Sequence, residues 1–165
     1  MKSWKLITLP AAALAFCSCT ATRTARVDAG PGPGPVFFRL PEINKGPYLP
    51  PQHQMTAVNH ALSGGLTPEE QGRKYFPGLK GEDAATVEIQ GMYTRTVLQD
   101  GSTVPCVAPT ATIRAKASKA ELQEVINRLQ ADLYQRGRKQ GKVITDDEIG
   151  FAKGDNAMAQ TPPGD

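Results

Sequence analysis

The segment from Ser118 to Arg136 constrains the fold of this 165-residue chain more than any other part. Its apolar side chains recur three and four residues apart, as on one face of a helix: Leu122, Val125, Ile126, Leu129 and Leu133. Ser118 and Glu121 have the spacing of a capping box, which predicts the start of the helix, and Gly137 predicts its end. Because an amphipathic helix gains most of its stability by burying its apolar face, the rest of the chain must supply a surface for it.

The stretch from Thr86 to Arg114 predicts that surface, because apolar and polar residues alternate there as in β-strands. The side chains expected on the buried face are Val87, Ile89, Tyr93 and Val97. Asp100-Gly101 is a typical hairpin turn, and pairing centred on it places Val97 opposite Val104. We therefore expect a β-hairpin whose apolar face packs against the long helix.

Two prolines limit the second strand of this hairpin. Pro105 and Pro109 have no backbone N–H to donate to a neighbouring strand. The returning strand is therefore expected to lie at the edge of the sheet or to be broken in two.

Shorter helices are expected on either side of the hairpin. A helix over 51–63 is predicted by Pro51 at its start and by two glycines after it. Thr67 and Glu70 form a capping box for a second helix, and Thr145 and Glu148 form one for a short final helix.

These elements predict a small α+β domain over residues 36–151, in which the hairpin packs on one long amphipathic helix accompanied by short helices. Residues 152–165 read as a disordered tail. The chain has three cysteines, and only Cys106 lies within the domain, so no internal disulfide is expected to stabilise it.

The first nineteen residues have the pattern of a secretory signal. Lys2 and Lys5 are followed by an apolar run that is too short to span a bilayer. The sequence Phe16-Cys17-Ser18-Cys19 resembles the lipobox of bacterial lipoproteins, although Phe16 stands where leucine is usual. The resemblance implies cleavage before Cys19 and acylation of its sulfur. Cys17 is an alternative target, and cleavage after Ala21 by an ordinary signal peptidase is an alternative that yields a soluble secreted protein.

Residues 1–18 are therefore interpreted as a signal peptide and residues 19–35 as a lipid-anchored tether. The alternating Gly-Pro run that begins at Gly30 favours a flexible linker. By analogy with sorting in enteric bacteria, Thr20 rather than Asp after the cysteine favours the periplasmic face of the outer membrane.

Few residues have the spacing of a catalytic or metal site. His53 and His60 are seven residues apart in the predicted first helix, which separates them by about 10 Å and favours two solvated side chains. Cys106 has apolar neighbours that raise a thiol pKa, which favours a buried structural thiol over an intermolecular disulfide or a nucleophile. We therefore predict no catalytic residue, no metal ligand and no cofactor.

Basic side chains follow the long helix and offer one possible contact with an anionic surface: Arg136, Arg138, Lys139 and Lys142. Without Lys2 and Lys5 the chain carries 17 basic and 16 acidic side chains, so its charge does not indicate a nucleic-acid partner. The stretch from Gly141 to Ile149 resembles the short C-terminal SHOCT domain, which implies a second helix there and little about activity.

Taken together, the sequence predicts a membrane-anchored envelope lipoprotein that binds or scaffolds an envelope protein or a cell-wall polymer. The alternative is a secreted or periplasmic enzyme, such as a hydrolase without a recognisable motif. An open cleft that gathers acidic residues, tyrosine or Cys106 would favour that alternative.

Overall fold

The computed structural model describes residues 21–32, 34–41 and 51–150, and of residues 51–54 the backbone alone. It confirms an α+β domain, in which helices pack on an antiparallel sheet. In chain order the elements are β1 (Thr22–Asp28), β2 (Phe38–Arg39), α1 (Pro51–Ser63), α2 (Pro68–Tyr75), a 3₁₀ turn (Gly81–Asp83), β3 (Thr86–Val97), β4 (Thr103–Lys116), α3 (Lys119–Gln140) and β5 (Lys142–Val143).

The first strand corrects the expected tether. Residues 22–28 pair antiparallel with β4 over their whole length, from Thr22 opposite Lys116 to Asp28 opposite Thr110. The short alternation of Ala25 and Val27 with polar neighbours is a strand pattern, and Val27 is 2% exposed. The glycines and prolines that follow this strand favoured a linker for all of residues 19–35. The predicted start of the domain, residue 36, is therefore too late, because the domain includes β1.

The expectation that β4 would be an edge strand or broken was wrong. β4 is continuous and central: β3 pairs with it on one side, and β1 and then β2 pair with it on the other, while β5 extends the sheet beyond β2.

The hydrogen bonds beside Pro105 and Pro109 explain how a central strand tolerates two prolines. Ala29 donates its N–H to the Pro109 carbonyl (3.2 Å), and Leu40 donates to the Pro105 carbonyl (2.9 Å). Neither proline can donate back, and β1 and β2 end at the residues just before Ala29 and Leu40. Each proline therefore ends one partner strand and leaves the ladder with β3 intact.

The predicted hairpin register was wrong by one residue. Val97 lies opposite Thr103, and Thr96 lies opposite Val104. Leu98 donates its N–H to Ser102, so the loop has three residues, and its last residue, Gly101, has a φ of +81°. Because a slip of one residue changes which side chains share a face, Val104 lies beside Thr96, which is buried, whereas Val97 is 42% exposed.

Three helices cover one face of the sheet. α3 lies over β4, β1 and β2, whereas α1 and α2 lie over β3. The predicted stripe of α3 is buried at Leu122, Val125, Leu129 and Leu133, and Ile126 is partly buried beside it. The stripe packs in one core with Val87, Ile89 and Val107, although α3 rests on β4 rather than on β3. The capping boxes predicted for α2 and α3 are both confirmed.

Gly137 does not end the long helix as expected. α3 continues to Gln140, and Gly141 is its C-terminal cap. Gly137 is buried within the helix, where a Cβ atom would lie 2.6 Å from Cζ of Phe38 and would overlap the ring. Its missing side chain thus permits close helix–sheet packing.

The predicted final helix is also corrected. After β5, residues 145–148 form a turn, and Ile149 bridges to Leu98 at the start of the hairpin loop. Thr145 and Glu148 make the predicted side-chain contacts, but these close the turn (Thr145 N to Glu148 Oε2, 3.0 Å). The helix implied by the SHOCT resemblance is therefore absent from residues 141–150. This segment instead covers a small apolar cluster, with Ile144 packed beside Val104 and Cys106.

Candidate binding surface

The predicted lipidation site, Cys19, lies outside the described residues, as does the side chain of His53. His60 is exposed, as expected from its position on α1. Among the residues that the structure describes, no helix is long and apolar enough to cross a membrane, and no three His, Cys, Asp or Glu side chains are grouped to hold a metal ion.

Cys106 is a fully buried free thiol. Its Sγ lies 3.0 Å from the Thr96 hydroxyl and 3.4 Å from the Thr94 carbonyl oxygen, which accepts from it. Burial raises the pKa of this thiol, so the reactive thiolate is disfavoured. These contacts support the structural interpretation of Cys106.

Tyr75 is the other titratable side chain with a strongly altered environment. Burial raises its pKa, and a hydrogen bond of 2.6 Å from its hydroxyl to the Asp132 carboxylate raises it further. The Arg128 guanidinium donates to the Tyr75 carbonyl (2.9 Å) and lies near its ring. The phenol therefore remains neutral and links α2 to α3, which is a structural role.

The four basic residues proposed as an anionic contact are not brought together. Arg136 donates from Nη1 to the Leu62 carbonyl (2.6 Å) and so ties α3 to α1. Lys142 lies 3.5 Å from Glu148. Arg138 and Lys139 are exposed, but Arg138 follows Arg136 by about 200° of helix rotation and points elsewhere. Of these four side chains, Arg138 and Lys139 have no ionic or hydrogen-bond partner among the described residues.

The open edge of β1 is the feature that sequence reasoning missed. Ala29 continues the register of β1 and donates its backbone N–H to β4. The backbone N–H and C=O groups of the odd-numbered residues of β1 therefore face β4. In an antiparallel pair the alternate residues point the other way. The backbone groups of Thr22, Thr24, Arg26 and Asp28 therefore point away from the sheet, and no described strand pairs with them.

The opposite edge of the sheet, on β3, is protected. The Asn59 side chain accepts the N–H of Gly91 (2.8 Å), and Gly150 donates to the Val97 carbonyl (2.9 Å). α2 packs so closely beside the start of β3 that a Cβ on Gly72 would overlap the Ala85 carbonyl. Exposed edges favour unwanted pairing and are usually covered in this way, so the contrast between the two edges is informative.

A groove runs between the open edge of β1 and α3. A pocket of about 520 Å³ lies beside the start of β1, and a second pocket of about 380 Å³ lies beside Gly30 and Pro31, which follow β1. The first is lined by Arg23, Thr24, Lys119, Leu122, Gln123 and Ile126; the second by Gly30, Pro31, Asn127, Gln130, Ala131, Tyr134 and Gln135. The apolar contribution comes from one side of α3.

The charge of this groove has one sign. Its only charged lining residues are Arg23 and Lys119, both near the start of β1, and none of its lining residues is acidic. Arg23 donates from Nε to the Ala117 carbonyl (3.2 Å), and Arg26 contacts Asp28 on the same strand (3.4 Å). The groove thus offers strand-edge backbone groups, apolar side chains and a cationic end.

The available signal for this surface was the alternation in residues 22–28, which the adjacent glycines and prolines obscured. No family model, no curated protein and no solved structure matches the chain.

Proposed function

We propose that the protein is a bacterial envelope lipoprotein, attached to a membrane through acylated Cys19 and acting by binding or scaffolding rather than by catalysis. The observation that carries the proposal is the N-terminal sequence: two lysines, an apolar run and Cys19 in a lipobox-like setting. Three acyl chains would hold the protein stably, whereas a single chain binds marginally. Thr20 after the cysteine favours the periplasmic face of the outer membrane.

The position of β1 gives this proposal a geometric consequence. β1 begins at Thr22, three residues after Cys19, and three residues span at most about 11 Å. A domain anchored in this way has no long flexible tether and stays next to the bilayer surface. Cleavage before Cys19 and cleavage after Ala21 both leave β1 whole, so the fold is compatible with either processing site.

The binding role is supported by the groove between β1 and α3, where a strand edge that no described strand pairs with lies beside apolar side chains. Neither Cys106 nor Tyr75 lines either pocket of this groove, and both have structural partners. These observations favour a binding surface over an active site.

The test is detergent partitioning of the protein expressed with its own N-terminus in a bacterial host. The wild-type protein is expected in the detergent phase, and Cys19→Ala is expected to remain unprocessed or to enter the aqueous phase. Cys17→Ala is the matched control, since Cys17 would leave with the signal peptide and the mature product would be unchanged. Loss of anchoring in Cys17→Ala with retention in Cys19→Ala would assign the other cysteine, and aqueous wild-type protein would contradict lipidation.

A further inference from the structure

We infer that the groove between β1 and α3 binds an extended peptide segment of a partner protein, which adds to the sheet as a strand beside β1. The inference rests on the proposed binding role but is independent of the lipid anchor. The partner segment it requires has apolar side chains at alternate positions and an acidic residue at the end that meets Arg23 and Lys119.

The backbone of β1 identifies the kind of ligand. Thr22, Thr24, Arg26 and Asp28 present a row of outward donors and acceptors, spaced as a neighbouring strand would use them. β1 contains no proline, and its pairing with β4 has no bulge, so two of the usual features that block strand addition are missing from it. An extended polypeptide satisfies these groups, whereas a helix cannot.

The dimensions of the groove agree with this assignment. β1 has seven residues and is about 23 Å long. The lining stripe of α3, from Lys119 to Tyr134, rises by about 22 Å. The strand and the lining stripe of the helix therefore have about the same length, which is that of an extended segment of about seven residues.

The side chains specify the composition of that segment. In an extended peptide every second side chain points to the same face, so alternate residues of the bound strand would meet α3. Ile126 and Tyr134 are only partly buried and line these pockets, so they favour apolar partners. The cationic end, without a nearby acidic lining residue, favours a carboxylate.

The first measurement is amide hydrogen exchange in the free full-length protein. The Thr24 and Arg26 amides are expected to exchange quickly, and the Ala25 and Val27 amides slowly, because only the latter pair with β4. Slow exchange at Thr24 and Arg26 would show that another part of this chain already covers the edge, and it would overturn the inference.

The second measurement is selection from a displayed library of random 12-residue peptides against the full-length protein. Enriched peptides are expected to show apolar residues with a period of two, to include an acidic residue, and to slow exchange at Thr24 and Arg26. Absence of enrichment, or enriched peptides that leave these amides unchanged, would overturn the inference. Failure of lipidation would appear in the partitioning assay and would leave both results unaltered.

Variants separate the strand edge from the rest of the fold. Thr24→Pro removes an outward N–H without removing a bond to β4, so it should weaken peptide binding by about tenfold or more while α3 and the sheet remain folded. Thr24→Ala keeps the N–H and is the matched control. Equal affinity of the two variants would contradict strand addition.

The charge is tested by Lys119→Glu. Lys119 is the first residue of α3, where a negative charge favours the helix dipole, so folding is preserved. Binding of the acidic selected peptides should weaken by about tenfold. Lys139→Gln, at an exposed position near the other end of α3, should leave binding unchanged.

Discussion

The ring of Phe38 in β2 packs directly on the backbone of Gly137 in α3, and a Cβ atom at residue 137 would lie 2.6 Å from Cζ of that ring. Phe38 is fully buried and also contacts Tyr134 edge-on, with ring centroids 5.6 Å apart. The contact fixes α3 against the short strand β2.

This contact predicts an inverted effect for a glycine-to-alanine change. In an open helix, Gly137→Ala would stabilise the protein by about 1 kcal/mol through helix propensity. Here the added methyl group would displace Phe38, and overpacking in a core costs about 1–3 kcal/mol. We expect a lower melting temperature for Gly137→Ala, measured by circular dichroism. Gln135→Ala, at an exposed position of the same helix, is the control; a rise in melting temperature at residue 137 would show that Phe38 does not pack there.

The buried stripe of α3 predicts a second contrast. Leu129 is fully buried between the helix and the sheet, whereas Glu124 is exposed. Leu129→Ala should destabilise the protein by about 2–5 kcal/mol, a large part of the stability of a small domain. Glu124→Ala should change it by less than about 0.5 kcal/mol. Chemical denaturation of both variants is the measurement, and equal effects would mean that α3 is not docked on the sheet.

The capping boxes predict how stability depends on pH. The Glu121 carboxylate accepts from the Ser118 backbone N–H (2.9 Å) and hydroxyl (2.8 Å), and these bonds lower its pKa below the ordinary value of 4.5. A carboxyl with a lowered folded-state pKa stabilises the fold above its unfolded pKa, and this contribution is lost as the pH falls through the folded value. Glu121→Gln should therefore reduce the melting temperature at pH 7 and progressively less below pH 4.5. A difference that does not change with pH would contradict the role of the charge.

The buried thiol of Cys106 predicts slow chemical modification. With Cys19 acylated, Cys106 is the only free thiol expected in the mature protein, and its reaction with a disulfide reagent should be on the order of a hundredfold or more slower than in denaturant. Ile144→Ala opens the cluster that covers it and should accelerate labelling, whereas Glu88→Ala, on an exposed position of β3, should not. Rapid labelling of the native wild-type protein would show that Cys106 is accessible.

Local signals predicted α1, α2 and the start of α3, but not the turn that replaces the helix expected after Thr145. Capping residues and apolar spacing act within a few residues, so Ser118 with Glu121, and Thr67 with Glu70, located two helix starts correctly. The C-terminal end of α3 was missed because Gly137 is a packing residue, and its reason lies in Phe38, about a hundred residues earlier in the chain.

Long-range pairing limited the prediction of the sheet. Pro105 and Pro109 indicated an edge strand, because neither residue can donate a backbone hydrogen bond. In the structure both prolines face the side of β4 on which β1 and β2 end, and the local sequence does not show where those partner strands end. The hairpin register depended on the three-residue loop that Gly101 completes, and a two-residue turn at Asp100-Gly101 was an equally reasonable local choice. The binding groove could not be predicted from the sequence for the same reason, since it forms only where β1 and α3, which are far apart in the chain, lie side by side.

The central proposal, that Cys19 anchors the domain directly ahead of β1, is tested most directly by the mass of the N-terminal tryptic peptide. Cleavage after Arg23 should release a peptide of residues 19–23 that begins with Cys19 and carries the added mass of the acyl chains. An unmodified peptide that begins at Thr22 would contradict lipidation and would identify a secreted protein.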